Sequence, residues 1–147
     1  MRRIATVAAL AFCAALLPAT AAHAANPAVM IVKVYANSPG ADTGSNASLN
    51  GEYITLKNTT AATINLYRWT IRDKANHVYT FTGNFNLLPG RFISVHTGSG
   101  TNTGGNRFWG LGGYVWNNAG DTAYLRTPSG ANFDTCTWGA VASYKLC

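Results

Sequence analysis

Acidic residues are scarce: one glutamate and four aspartates stand in a chain of 147 residues, against eleven lysines and arginines and three histidines. Glu52, Asp42, Asp73, Asp121 and Asp134 are spread along the sequence, so paired-carboxylate catalysis has little to draw on. Two cysteines and two distant histidines beyond the N-terminal segment lack zinc-ligand spacing. There is no G-x-S-x-G elbow, and "GSGTNTGG" (Gly98 to Gly105) lacks the Gly-Lys-Ser/Thr ending of a phosphate loop. No window sustains a 3.6-residue period, which excludes a helical bundle. The longest apolar run falls short of the roughly 20 residues that span a bilayer.

That run, "IATVAALAFCAALL", follows the basic Met1-Arg2-Arg3 and precedes the small-x-small site Ala22-His23-Ala24. This is the pattern of a secretory leader, and cleavage is expected after Ala24, giving a secreted chain of about 123 residues. Cys13 lies inside the apolar run without lipoprotein flanks, so no lipid anchor is expected. Nine basic residues then face five acidic ones, and they form no run that would mark a nucleic-acid or membrane stripe. The remaining pair, Cys136 and Cys147, suits a disulfide in an oxidising compartment, closing a short loop onto the last residue.

What fills the rest is short alternating runs separated by Gly, Asn, Pro and Thr, the signature of an all-β domain. "VMIVKVYA" reads as a first strand, and "NSPGADTGSNASLNG" as a soft loop. In "EYITLKN", Glu52, Ile54 and Leu56 share one face and Tyr53, Thr55 and Lys57 the other. "TINLYRWTIRD" reads as one or two strands kinked near Tyr67-Arg68, and "HVYTFTG" and "RFISVHTG" as further strands. Asn102 to Gly113 reads as a long irregular loop. A last hairpin turns at Pro128-Ser129-Gly130. Seven or eight such strands predict a single two-sheet sandwich, with Ile54, Leu56, Trp69, Ile71, Phe92, Val95 and Leu125 in its core.

Four motifs in order carry a resemblance. They are Glu-aromatic-Ile-x-Leu-x-Asn (Glu52 to Asn58), Leu-x-x-Trp-x-Ile-x-Asp (Leu66 to Asp73), Leu-x-Pro-Gly (Leu87 to Gly90) and Trp-Asn-Asn-x-Gly-Asp (Trp116 to Asp121). From about Val29 to Trp138 the chain resembles the lamin-tail domain family in its bacterial, secreted form. The resemblance implies an immunoglobulin-like β-sandwich that serves as a tether, often joined to exported domains or enzymes, and in nuclear lamins to chromatin partners. Nucleic acid enters as a partner only by that analogy.

Functional candidates are then few. Glu52 opens a strand without a neighbouring carboxylate and reads as a residue that hydrogen-bonds or pairs with a base, while Asn58 reads as a turn-former. His77 and His96 are the available bases for a small hydrolase and each reads instead as a strand-end residue. "DTGSN" (Asp42 to Asn46) carries too few carboxylates for a strong calcium site. Trp116 is expected to anchor the turn that follows it. Arg107, Phe108, Trp109 and Tyr114 join one cation to three rings in a Gly-rich segment, a set that suits a sugar or peptide surface. The leading expectation is a non-enzymatic binding or structural module without cofactor or metal. A cell-wall glycan or another exported protein is its candidate partner, and a carbohydrate-binding protein using the loop aromatics is the alternative.

Overall fold

The computed structural model describes residues 26–147. The leader, its cleavage site and Cys13 lie outside the described residues.

Two sheets build the domain. The first has strand order β11 (Tyr144–Leu146), β1 (Val29–Tyr35), β2 (Tyr53–Asn58), β7 (Phe92–His96) and β8 (Asn106–Phe108). The second has order β10 (Asn132–Trp138), β9 (Asp121–Arg126), β4 (Thr70–Arg72) and β5 (Val78–Thr80). A two-stranded ribbon of β3 (Ile64–Asn65) and β6 (Asn86–Leu87) completes an immunoglobulin-like sandwich. All pairings are antiparallel except that of β7 with β8. None of the described helices is long and apolar enough to cross a membrane.

Alternation decides what is buried. In β2, Ile54 and Leu56 point inward with Val29, Ile31 and Val34 of β1 and Ile93 and Val95 of β7. The second sheet answers with Ile71, Tyr79, Ala123, Leu125 and Trp138, and Leu66, Trp69, Phe81 and Phe85 close the core. Phe92 departs from expectation, being 51% exposed. Strand parity is the reason: Phe92 and Val95 are three residues apart and cannot share a face, so Ile93 takes the inward place.

Three segments differ from the sequence reading. The expected soft loop contains a short helix, α1 (Asn46–Gly51), capped by the Ser45 side chain, which accepts from the Ser48 amide. Its Asn46 and Asn50 side-chain amides donate to the Ser99 carbonyl, and a Cβ at Gly98 would meet both side-chain oxygens at 2.6 Å, so a larger residue there would displace them. The expected irregular loop contains β8, which lies beside β7 because Ser94 donates to the Gly105 carbonyl and Trp109 to that of His96. The chain also ends in a strand, β11. The kink at Tyr67-Arg68 is present: Arg68 has φ 64° and its amide is held by the Phe81 carbonyl.

The sheets are joined at one edge. A bulge in β1 between Ile31 and Lys33 breaks the β1–β2 register, which leaves backbone groups to be satisfied elsewhere. Asp134 of β10 accepts the Ile31 amide at 2.7 Å, and the Val32 carbonyl accepts the Cys147 amide. The Cys136–Cys147 disulfide then ties β10 to the end of β11, with Cα atoms 5.8 Å apart. Cys147→Ser is expected to lower stability by about 2–3 kcal/mol, the worth of so short a closed loop. Hydrogen exchange should show β11 amides losing protection while those of β2 and β7 keep theirs.

Candidate functional site

On the outward face of the five-stranded sheet, one aromatic side chain from each strand joins a single row. Tyr35 pairs with Tyr144 on one side and with Tyr53 on the other, Tyr53 pairs with His96, and His96 pairs with Phe108. From Tyr144 through Tyr35, Tyr53 and His96 to Phe108, successive ring centroids are 5.6, 5.3, 5.2 and 5.2 Å apart. Their inward neighbours Val34, Ile54 and Val95 are buried, so parity turns the rings toward solvent. Such cross-strand pairs also stabilise the sheet that bears them.

Lys33 lies in the next row, its ammonium 4.6 Å from the Tyr144 centroid and 5.2 and 5.5 Å from those of Tyr35 and Tyr53. These are cation–π distances. Thr55 and Ser94 continue that row, their hydroxyls 2.9 Å apart. One row further on, Lys57 sits 5.2 Å from the Phe92 ring. His96 is held from both nitrogens: Nδ1 donates to the Asn50 carbonyl at 2.8 Å, and Nε2 meets the Asn106 amide oxygen at 2.9 Å.

The scarce acids are occupied elsewhere. Glu52 is 1% exposed, and its Oε1 accepts from the Thr97 hydroxyl (2.6 Å), the Val115 amide (2.7 Å) and the Trp116 amide (3.1 Å). Burial raises this carboxyl above the ordinary glutamate range; the three bonds oppose the shift, and Asp42 adds to it. Asp121 accepts from the Lys74, Asn117 and Thr122 amides. Asp134 accepts from Ile31 and Thr135, and Asp73 from the amide of His77. Among the described residues His77 with Asp73 is the one contact within 4 Å between a basic side chain and a carboxylate, so no lysine or arginine there has a carboxylate at that distance.

A profile described as the Lamin Tail Domain matches residues 22–140. The chain belongs to the lamin tail domain family. No curated protein matches it. The family is a non-catalytic immunoglobulin-like domain, and no enzyme family matches. In this lamin tail domain, Tyr144 and Cys147 lie beyond the matched residues, so β11 adds the first ring of the row and the residue after it half of the disulfide.

The four residues singled out in the Gly-rich segment go to different neighbours. Phe108 stacks on His96 and joins the row. Arg107 lies over the Phe85 ring, 4.1 Å from its centroid, and its guanidinium also bonds the Thr103 carbonyl. Trp109 is half-buried, edge-on to Tyr79 and Trp116. The Tyr114 hydroxyl meets that of Ser48 at 2.6 Å and accepts from the Gly44 amide. Tyr79, buried beside Trp109, has its phenol raised by desolvation, with Arg107 opposing. Sequence reading found the ring types, but the row needed strand register and a strand, β11, that was not foreseen.

The lamin tail domain also holds the Asp73 carboxylate 2.6 Å from His77 Nδ1, the geometry of an oriented base. The adjoining cavity of about 420 Å³ is lined by Lys74, Ala75, Val115, Asn117, Gly120 and Asp121, none of which is a hydroxyl or thiol nucleophile. A smaller cavity of about 190 Å³ brings Glu52 to Asp42, Tyr114 and Asn117. Among the described residues no three His, Cys, Asp or Glu side chains cluster as metal ligands.

Proposed function

We propose that this lamin tail domain is a non-catalytic binding module of an exported protein, docking an extended glycan of the cell envelope or its surroundings across the outward face of the five-stranded sheet. The observation that carries the proposal is the row of five rings, which runs across every strand of one solvent-facing sheet. A long chain crossing the strands meets a repeating set of contacts, whereas a small molecule would use one or two. Export is supported by the leader pattern before Ala25 and by the Cys136–Cys147 bond, which persists in oxidising compartments. A start at Ala25, read by mass spectrometry of the protein recovered from the medium, is the expected mark of that route.

Tyr53 sits centrally, with Tyr35 on one side and His96 on the other. Tyr53→Ala is expected to reduce retention on insoluble cell-wall glycan by about tenfold or more, as loss of a hot-spot aromatic does. Its stability cost should stay near the roughly 0.2–1 kcal/mol of a cross-strand pair. Retention that falls only in step with the melting temperature would assign the row to sheet stability alone.

A further inference from the structure

We infer that the glycan is anionic, a linear polysaccharide bearing carboxylate or phosphodiester groups that seat on Lys33 and Lys57. This rests on the proposed docking face and names the ligand class it takes.

Ring orientation is the first argument. Adjacent rings of the row are inclined by only 21–45° at centroid spacings of 5.2–5.6 Å. Coplanar neighbours would collide at that spacing, so Tyr35 with Tyr53 and His96 with Phe108 stack face toward face, while Tyr35 with Tyr144 and Tyr53 with His96 are tilted and overlap in part. Their faces are therefore turned largely to one another and to Lys33, and what remains for a partner is mainly C–H edges and phenol hydroxyls. Aromatic edges are the positive part of the ring quadrupole. The hydroxyls of Tyr35, Tyr53 and Tyr144 make no hydrogen bond among the described residues, so they are available as donors.

Charge is the second argument. Paired positions on the outward face hold Leu146, Lys33, Thr55, Ser94 and Asn106 in one row and Met30, Lys57 and Phe92 in another, with no carboxylate at any of them. The acids that would neutralise this face are internal acceptors: Glu52, Asp73, Asp121 and Asp134 each bind backbone amides. A protein with few acids that spends most of them inside leaves its surface cations without counter-charges. An anionic polymer satisfies both the edges and the lysines, whereas a neutral one satisfies only the hydroxyls.

The same geometry disfavours single-stranded nucleic acid, which is held by bases stacking on open aromatic faces. The opposite sheet provides a matched comparison. There Arg72 and Arg126 flank the Tyr124 ring at 5.5 and 5.9 Å, two cations on one aromatic but without a row.

The test is pull-down of the whole protein on immobilised polygalacturonate, a linear mannan with phosphodiester groups, neutral dextran and single-stranded poly-dT, at fixed salt. Wild type should be retained on one or both anionic glycans, and which one tells carboxylate from phosphodiester. Lys33→Gln with Lys57→Gln should reduce that retention at least tenfold, while Arg72→Gln with Arg126→Gln changes it less than twofold. Equal loss in the two double variants would mean generic attraction between opposite charges and would overturn the assignment, as would retention on poly-dT matching that on the anionic glycans. Retention on dextran that depends on Tyr53 but not on the lysines would leave the docking face standing and refute the anionic ligand. Retention on none of the glycans, neutral or charged, would reject both.

Discussion

Glu52→Ala is expected to destabilise the domain by roughly 3–5 kcal/mol, because it orphans three buried donors at once and each costs about 1–3 kcal/mol. Those donors are the Thr97 hydroxyl and the Val115 and Trp116 amides, and all three bond one carboxylate oxygen. Glu52 thus fastens the strand-end residue Thr97 and the approach to β9 onto the start of β2. Glu52→Gln should be nearly neutral, since its amide oxygen accepts the same bonds. The pH dependence separates charge from hydrogen bonding. Burial raises the Glu52 carboxyl in the folded state, so the native protein binds more protons than the unfolded chain between the ordinary glutamate value and the raised one. The stabilising contribution is fully present below that window and is lost as pH rises through it. Chemical denaturation across weakly acidic pH should therefore show a downward slope attributable to Glu52 in wild type that Glu52→Gln abolishes. An unchanged slope in Glu52→Gln would show that the carboxylate is not held as described, and a fully stable Glu52→Ala would remove it from the fold's supports.

Trp69→Ala is expected to cost roughly 3–5 kcal/mol, the range for emptying a large aromatic site in a core. Trp69 is buried, and the Phe133 ring stands edge-on to it at 4.8 Å. The position follows the left-handed residue Arg68, and the Trp69 amide bonds the Leu66 carbonyl while its own carbonyl accepts from Phe81. Removing the ring therefore takes packing from the point where the chain leaves the β3–β6 ribbon for β4. Against a typical net stability of about 5–15 kcal/mol, this loss is expected to reduce recovery of folded protein as well as the denaturation midpoint. Phe92→Ala gives the contrast: at an exposed site on the outward face it should shift the midpoint little. A large shift at Phe92 with none at Trp69 would mean that the inward and outward phases had been exchanged.

Periodicity carried much of the fold. The two-residue alternation of "EYITLKN" placed Ile54 and Leu56 inward and Tyr53 outward, and the structure has them so. The same rule, applied without its parity, put both Phe92 and Val95 inside; only one of two residues three apart can be there. The helix α1 and the strand β8 were not legible because six and three residues are too few for a period to register. Asn58 was legible as a turn-former, and its side-chain bonds to Thr60 and Ala62 fit that role. Its further bond to the Leu87 carbonyl, which anchors the ribbon, joins residues 29 apart and had no local signature.

The sequence by itself determined the all-β class, the core faces of the longer strands, the disulfide partners and the family, because alternation, cysteine count and ordered short motifs are local properties of the chain. Tertiary structure alone decided what the side chains meet. Glu52 became a buried acceptor for residues 45 to 64 positions away, and five rings from five strands became one row. Both depend on strand register and sheet order, which are set by the packing of the whole core against competing pairings. A one-residue slip in any strand would have turned its ring to the other face.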